Sequence, residues 1–202
     1  MTLMLALARG LIPQRETVID GSWTRDGLFC AFPSPVRDLA GARLGLIGRS
    51  QIATAVAERA RAFGMDVVTA ERRGAPPRAG RLAFDEVLET ADVLSLHCPP
   101  TDETHHLIGA DTLARVKPGL ILINTARGAL VDVAALAAAL DDGRIAGAGL
   151  DVAPMEPPAD GDPILALARR RNVIVTPHTA WTSSGALDIL AEALIQNVEG
   201  AL

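Results

Sequence analysis

From Arg43 onward, apolar runs of four to six residues alternate with longer stretches in which apolar positions recur at helical spacing. This alternation is the signature of repeated βαβ units and a parallel sheet. The candidate strands are Arg43 to Ile47, Asp66 to Thr69, Val93 to Leu96, Leu120 to Ile123, Gly147 to Leu150 and Val173 to Val175. Between the first two, Ile52 to Phe63 predicts a helix whose small residues Ala53, Ala57 and Ala60 let it approach a sheet closely, with Gly64 as its stop. A later helix is capped by Asp132, buries Val133, Leu136, Ala137 and Leu140, and closes at Gly143. After Trp181, Ala186 to Val198 again repeats apolar residues at helical spacing.

The first residues, MTLMLALARGLIP, suit a helix whose Leu3, Leu7 and Ile12 need a partner surface, ending at or near Pro13. No Lys or Arg precedes the apolar run and Arg9 interrupts it, so it does not read as a secretion signal, and it is too short to span a bilayer. Gly21 to Pro35 has Gly, Trp, Ser and Pro without a period and reads as an arm or linker.

Composition narrows the partners. Nineteen Lys and Arg against twenty-four Asp and Glu leave a net charge of −5, with both signs dispersed, which argues against nucleic acid and membrane partners. Cys30 and Cys98 follow no CxxC or zinc spacing, so free thiols in a reducing cytoplasm and no metal site are expected.

The loop LGLIGRSQIATAV follows the first candidate strand and opens a helix. In a GxGxxG dinucleotide fingerprint the glycines make the tight turn, admit the pyrophosphate and allow helix and strand to pack. Those positions are Gly48, Ser50 and Ala53 here, so Ser50 puts a side chain where close approach is wanted. Glu71, about 20 residues on at the end of the second strand, suits the ribose hydroxyls and repels a 2′-phosphate, favouring NAD. Arg72 and Arg73 beside it keep NADP in play, and an ordinary βαβ unit with a solvated glutamate is the bland alternative.

Four blocks downstream carry a resemblance: ADVLSLHCPPTDETHHLI, KPGLILINTARGALVD, GRIAGAGLDVAPMEPP and NVIVTPHTAW. In that order they are similar to the signature blocks of the D-isomer-specific 2-hydroxyacid dehydrogenases. The resemblance implies a Rossmann-like, doubly wound α/β domain, an NAD cofactor, and hydride transfer to or from a small 2-hydroxy or 2-oxo acid. It also implies roles. Arg127 grips the substrate carboxylate, His178 is the general acid and base, Glu156 is the carboxylate that stabilises its imidazolium, and Asp151 orients the nicotinamide carboxamide. Cofactor contacts are implied for Gly48, Ser50, Gln51, Ile52, Glu71, His97, Pro99, Thr104, Thr125, Ala126, Arg127, Asp151 and His178.

Independently of the resemblance, Gly48, Glu71, His97, Arg127, Asp151 and His178 each follow the C-terminal end of a candidate strand, and such ends share one edge of a parallel sheet. His97 is read as shaping the cofactor loop, and His105 and His106 as belonging to a nearby helix entry. Trp181 either lines the substrate side or packs. Trp23 and its arm resemble the family segment that makes dimer contacts, implying a homodimer.

The expected organisation is an N-terminal helix and arm over 1–38, a dinucleotide-binding domain over 39–180, and a helix over 181–202 directed to the family's smaller substrate domain, which has no counterpart here. The competing readings are a non-catalytic dinucleotide-binding, dimerising module, a truncated inactive relative, and a scaffold with an empty pocket.

Overall fold

In a computed structural model describing residues 1–200, the elements in chain order are α1 (Thr2–Ala8), α2 (Leu11–Ile19), α3 (Ser22–Asp26), β1 (Arg43–Ile47), α4 (Gln51–Ala62), β2 (Asp66–Ala70), α5 (Phe84–Thr90), β3 (Val93–Leu96), α6 (Ala110–Leu113), β4 (Leu120–Asn124), α7 (Val133–Asp141), β5 (Ile145–Leu150), α8 (Pro163–Leu167), β6 (Val173–Val175) and α9 (Ser184–Glu199). The strands form one sheet in the order β2-β1-β3-β4-β5-β6, and every pairing is parallel. This is the doubly wound, Rossmann-like arrangement.

The buried central strands are divided between two cores by their two-residue period. Leu94, Leu96, Leu120 and Leu122 face one side with α5, α6, α7 and α8, whereas Val93, Ile121 and Ile123 face the other with α1 and α4. Each expected strand is present. β2 and β4 run one residue further than expected, and β5 starts two residues earlier, at Ile145. The expected caps also form: Asp132 accepts from the N–H groups of Ala134 and Ala135 at 2.9 and 3.1 Å. Helices α5, α6 and α8, of 7, 4 and 5 residues, are too short to display a period and were not anticipated.

The first segment differs from expectation. Its helix does not run on to Pro13: Gly10, at φ 60, breaks it into α1 and α2, and Pro13 sits in the first turn of α2, where no intrahelical N–H is needed. α1 finds its partner surface on the sheet, since Met4 and Ala8 are buried in the core beside Ile121 and Ile123. Glycines in β5 make room for it. A Cβ at Gly149 would stand 2.8 Å from Leu3 Cβ, and one at Gly147 would stand 3.2 Å from Leu7 Cδ2. The arm Gly21 to Pro35 carries the short α3 and is otherwise irregular. In the segment 181–202, α9 leaves Leu187, Ile189, Leu190, Leu194 and Ile195 exposed, and residues 201–202 lie outside the described residues.

Met4 is 1% exposed, so Met4→Ala removes core contacts as well as area. A loss of about 2–4 kcal/mol is expected from urea unfolding with an unchanged slope. A loss under about 0.5 kcal/mol would show that α1 unfolds apart from the sheet.

Candidate active site

Because all six strands run the same way, their carboxyl ends share one rim. Gly48, Glu71, His97 and Asp151 directly follow β1, β2, β3 and β5, while Arg127 and His178 lie three residues beyond β4 and β6. The order β2-β1-β3 places a topological switch between the tips of β1 and β3. Gly48 occupies it. Its φ of 104 suits glycine, and a Cβ there would come 2.7 Å from the backbone of His97 and Cys98.

Ser50 adopts extended backbone, φ −108 and ψ 170, which needs no glycine, and its Oγ accepts from the Ala53 N–H at 3.1 Å to cap α4. The N–H groups of Gln51 and Ile52 bond nothing among the described residues and point from the positive end of a 12-residue helix. The turn is therefore suited to an anionic diphosphate: a bare glycine cradle, unpaired amides and a favourable dipole.

At the tip of β2, Glu71 is buried but not free. Its Oε1 accepts from Arg72 N–H, Arg78 Nη2 and Arg81 Nη1 at 2.9, 2.7 and 3.0 Å, and its Oε2 from Arg78 Nε at 2.6 Å. The hydrogen bonds from Arg78 first, then that from the Arg72 backbone, hold the carboxyl down at about 2. Of the neighbouring guanidiniums, those reaching Glu71 belong to Arg78 and Arg81; Arg72 contributes its backbone alone.

After β3, burial pushes His97 down to about 4, so its ring is neutral near pH 7; Nε2 lies 3.0 Å from Ser95 Oγ. The exposed loop beyond it is folded by Thr104, whose Oγ1 accepts from Thr101 N–H at 2.7 Å and donates to the Pro99 carbonyl at 2.8 Å. His105 and His106 stack with centroids 4.0 Å apart, and His106 adopts φ 49.

Buried Asn124 organises the next loop. Its Oδ1 accepts from Ala126 N–H at 3.0 Å and its Nδ2 donates to the Arg127 carbonyl at 2.8 Å, fixing the Thr125–Ala126–Arg127 turn. A Cβ at Gly128 would overlap the Ala153 carbonyl, so only glycine lets this turn lie against the loop that carries Glu156. Arg127 donates to the Ala126 carbonyl at 2.6 Å and bonds neither Glu156 nor His178, but its charge acts on Glu156.

His178 Nδ1 lies 2.6 Å from Glu156 Oε2. An ionised carboxylate only accepts, so Nδ1 carries the proton and Nε2 is left for chemistry. Partial burial would raise Glu156, yet the Ala153 N–H, at 2.9 Å, together with His178 and Arg127 outweighs it and holds the carboxyl below its ordinary range. His178 itself sits at φ 54, a conformation rare outside glycine. It is held there by Asp151, whose buried carboxylate accepts from the Thr176 hydroxyl, from Thr179 N–H at 3.0 Å and from Ala180 N–H at 2.8 Å.

The rim thus gathers Arg127, Glu156, Asp151 and His178 on the β4–β6 side, and Gly48, Ser50, Glu71 and His97 on the β1–β3 side. Trp181 is half exposed just past the histidine loop. A cavity of about 350 Å³ lies elsewhere, between α1–α2 and the starts of β4 and β5, lined by Leu7, Pro13, Ile121 and Ile145 among others. Sequence reasoning missed Asn124, Gly128, Thr176, Arg78 and Arg81. Asn124 had a signal, as the polar end of the run LILIN; the two arginines, in an irregular stretch, had none.

Residues 1–180 match the family model described as D-isomer specific 2-hydroxyacid dehydrogenase, NAD binding domain. The chain is 46% identical to a glycerate dehydrogenase of Methylorubrum extorquens over 98% of its length, covering 62% of that protein. It is 37% identical to a glyoxylate reductase of Korarchaeum cryptofilum, covering 97% of this chain and 59% of that one. Among solved structures it resembles D-lactate dehydrogenase from Aquifex aeolicus complexed with NAD and lactic acid, with a TM-score of 0.83, 33% identity, and coverage of 98% and 63%. The chain spans about three-fifths of the length of these relatives.

The neutral His97 makes stability depend on pH. Its folded value, about 4, lies below the ordinary 6.5, so the unfolded chain binds more protons between the two; the stability is complete above 6.5 and is lost as pH falls toward 4. Wild type is expected to lose about 2 kcal/mol more than His97→Gln between pH 7 and pH 5 in urea unfolding. Parallel losses would show that burial does not shift His97 in the fold.

Proposed function

Because this chain belongs to the D-isomer specific 2-hydroxyacid dehydrogenase family and carries its NAD-binding domain, we propose that it takes part in transferring hydride between NAD(H) and a small 2-hydroxy or 2-oxo acid. The observation that carries the proposal is the 2.6 Å contact of His178 Nδ1 with Glu156, beside a carboxylate that also feels Arg127.

When bound, the nicotinamide ring supplies or accepts the hydride at its C4. The chain's own residues do the remaining work. The planar fork of Arg127 binds the substrate carboxylate and polarises the adjacent carbonyl. In reduction, the Nε2 proton of His178 passes to the carbonyl oxygen as negative charge develops there; in oxidation, Nε2 takes the hydroxyl proton. Glu156 holds Nδ1–H throughout and stabilises the imidazolium. Asp151 keeps the histidine loop in place, and Oδ2, with one bond, retains an acceptor site for the nicotinamide carboxamide. Gly48, Ser50, Gln51 and Ile52 would hold the diphosphate, and Pro99, Thr104, Thr125 and Ala126 would flank the cofactor between its two ends.

The protein acts as a homodimer in the reducing cytoplasm, with Cys30 and Cys98 as free thiols. Supporting the dimer, the arm leaves the large apolar side chains of Leu28, Phe29 and Phe32 exposed. A binding module without turnover is the second reading, favoured by the guanidinium of Arg127, which donates to the Ala126 carbonyl and bonds neither Glu156 nor His178.

NADH fluorescence titration and NADH oxidation with glyoxylate, hydroxypyruvate and pyruvate test both. NADH binding and turnover are expected, with His178→Ala retaining binding and losing at least about 100-fold in rate. Binding without turnover would favour the module, and undiminished activity of His178→Ala would remove the histidine from the mechanism.

A further inference from the structure

Residues 71–81 hold four arginines and one glutamate in a chain of net charge −5. An ionised carboxylate has about four lone-pair sites, and Glu71 has four donors on it: Arg72 N–H, two nitrogens of Arg78 and one of Arg81. Three of them crowd Oε1 and the fourth, Arg78 Nε, takes one lone pair of Oε2, so at most one acceptor site remains for the two ribose hydroxyls. Its single negative charge is also outweighed by the two guanidiniums in contact with it, so the repulsion that would exclude a 2′-phosphate is absent.

The arginines still have donors to offer. Arg78 Nη1 and Arg81 Nε and Nη2 bond nothing among the described residues. The Arg78 side chain is 63% exposed and that of Arg81 20%, whereas that of Glu71 is 1% exposed. A buried anion thus fixes two cations at the surface, ordered before any ligand arrives, and a guanidinium fork matches phosphate geometry. The cluster stands at the tip of β2, where the adenosine ribose of a dinucleotide lies when its diphosphate rests on the β1 turn.

We propose that the adenosine end of this groove accepts a 2′-phosphate, with Arg78 and Arg81 as the cations that meet it and Glu71 as their positioning residue, so that NADP(H) is bound alongside NAD(H). The inference rests on the dinucleotide-binding reading and extends it to the cofactor's 2′ position.

Calorimetric titration of the full chain with 2′,5′-ADP, 5′-AMP and inorganic phosphate tests it, since the two nucleotides differ only in the 2′-phosphate. At low salt, 2′,5′-ADP is expected to bind at least ten-fold more tightly than 5′-AMP and than phosphate alone. The advantage should shrink in high salt, and in Arg78→Ala and the double variant Arg78→Ala, Arg81→Ala it should fall to near parity, with circular dichroism unchanged. Equal or tighter binding of 5′-AMP would overturn the proposal, as would a preference that Arg78→Ala leaves intact. Phosphate binding as tightly as 2′,5′-ADP would reveal a plain anion patch and overturn it too. Binding of NADH with no 2′-phosphate preference would sink this inference alone; failure of NADH and both nucleotides to bind would sink the dinucleotide reading as well.

Discussion

Six strands running in one direction leave the chain no choice about where its loops emerge. Each crossover returns the chain to the sheet's opposite edge, so every carboxyl end opens on the same rim, and residues 130 positions apart, such as Gly48 and His178, come to share it. The cost of that geometry is that both faces of the sheet must be covered. The alternation of Val93 with Leu94, and of Ile121 with Leu122, supplies two cores from strands that are apolar on both faces, and α1 completes one of them. Site and core therefore have one origin. Loss of α1 would uncover β4 and β5, the strands that deliver Arg127 and Asp151.

Within the rim, precision comes from backbone held by buried polar side chains. His178 occupies a left-handed conformation that costs on the order of 1 kcal/mol or more, and such strain persists only where surroundings fix it. Asp151 does so with two backbone donors and a threonine hydroxyl. Asn124 performs the same service for the Arg127 turn, and the bare backbone at Gly128 lets that turn sit directly against Ala153. Arginine, glutamate and histidine are thus set against each other through loop-to-loop contacts, while the only direct side-chain bond among them is that of His178 to Glu156.

Much of this was legible in the sequence, for physical reasons. Continuous apolar runs mark doubly covered strands, and Asp132 and Gly143 bracket α7 because capping chemistry is local. The chemical residues follow strand ends, so their convergence could be read without coordinates. What escaped was non-local or too short. The five-residue helix α8 has no room for a period, and the break at Gly10 depends on where α1 must stop to lie across β5. Ser50 looked like an obstruction because the fingerprint describes a position by its missing side chain; the extended backbone turns that side chain into a cap on Ala53. Arg78 and Arg81 reach Glu71 only because the irregular stretch after β2 folds back to pair Leu82 with Ala70.

The three carboxylates at the rim share one design. Glu71 binds guanidiniums, Asp151 binds backbone amides, and Glu156 binds an imidazole and an amide; each uses most of its acceptors on the protein itself. What remains at the groove is mostly donors and cations, namely the open amides of α4, the spare nitrogens of Arg78 and Arg81 and the guanidinium of Arg127, with Nε2 of His178 and Oδ2 of Asp151 beside them. An acidic chain thus presents, at this one rim, a line of donors and cations of the kind that suits anions. The same carboxylates hold those groups in place with acceptors mostly engaged by the protein, so ordering the site and attracting the ligand compete little.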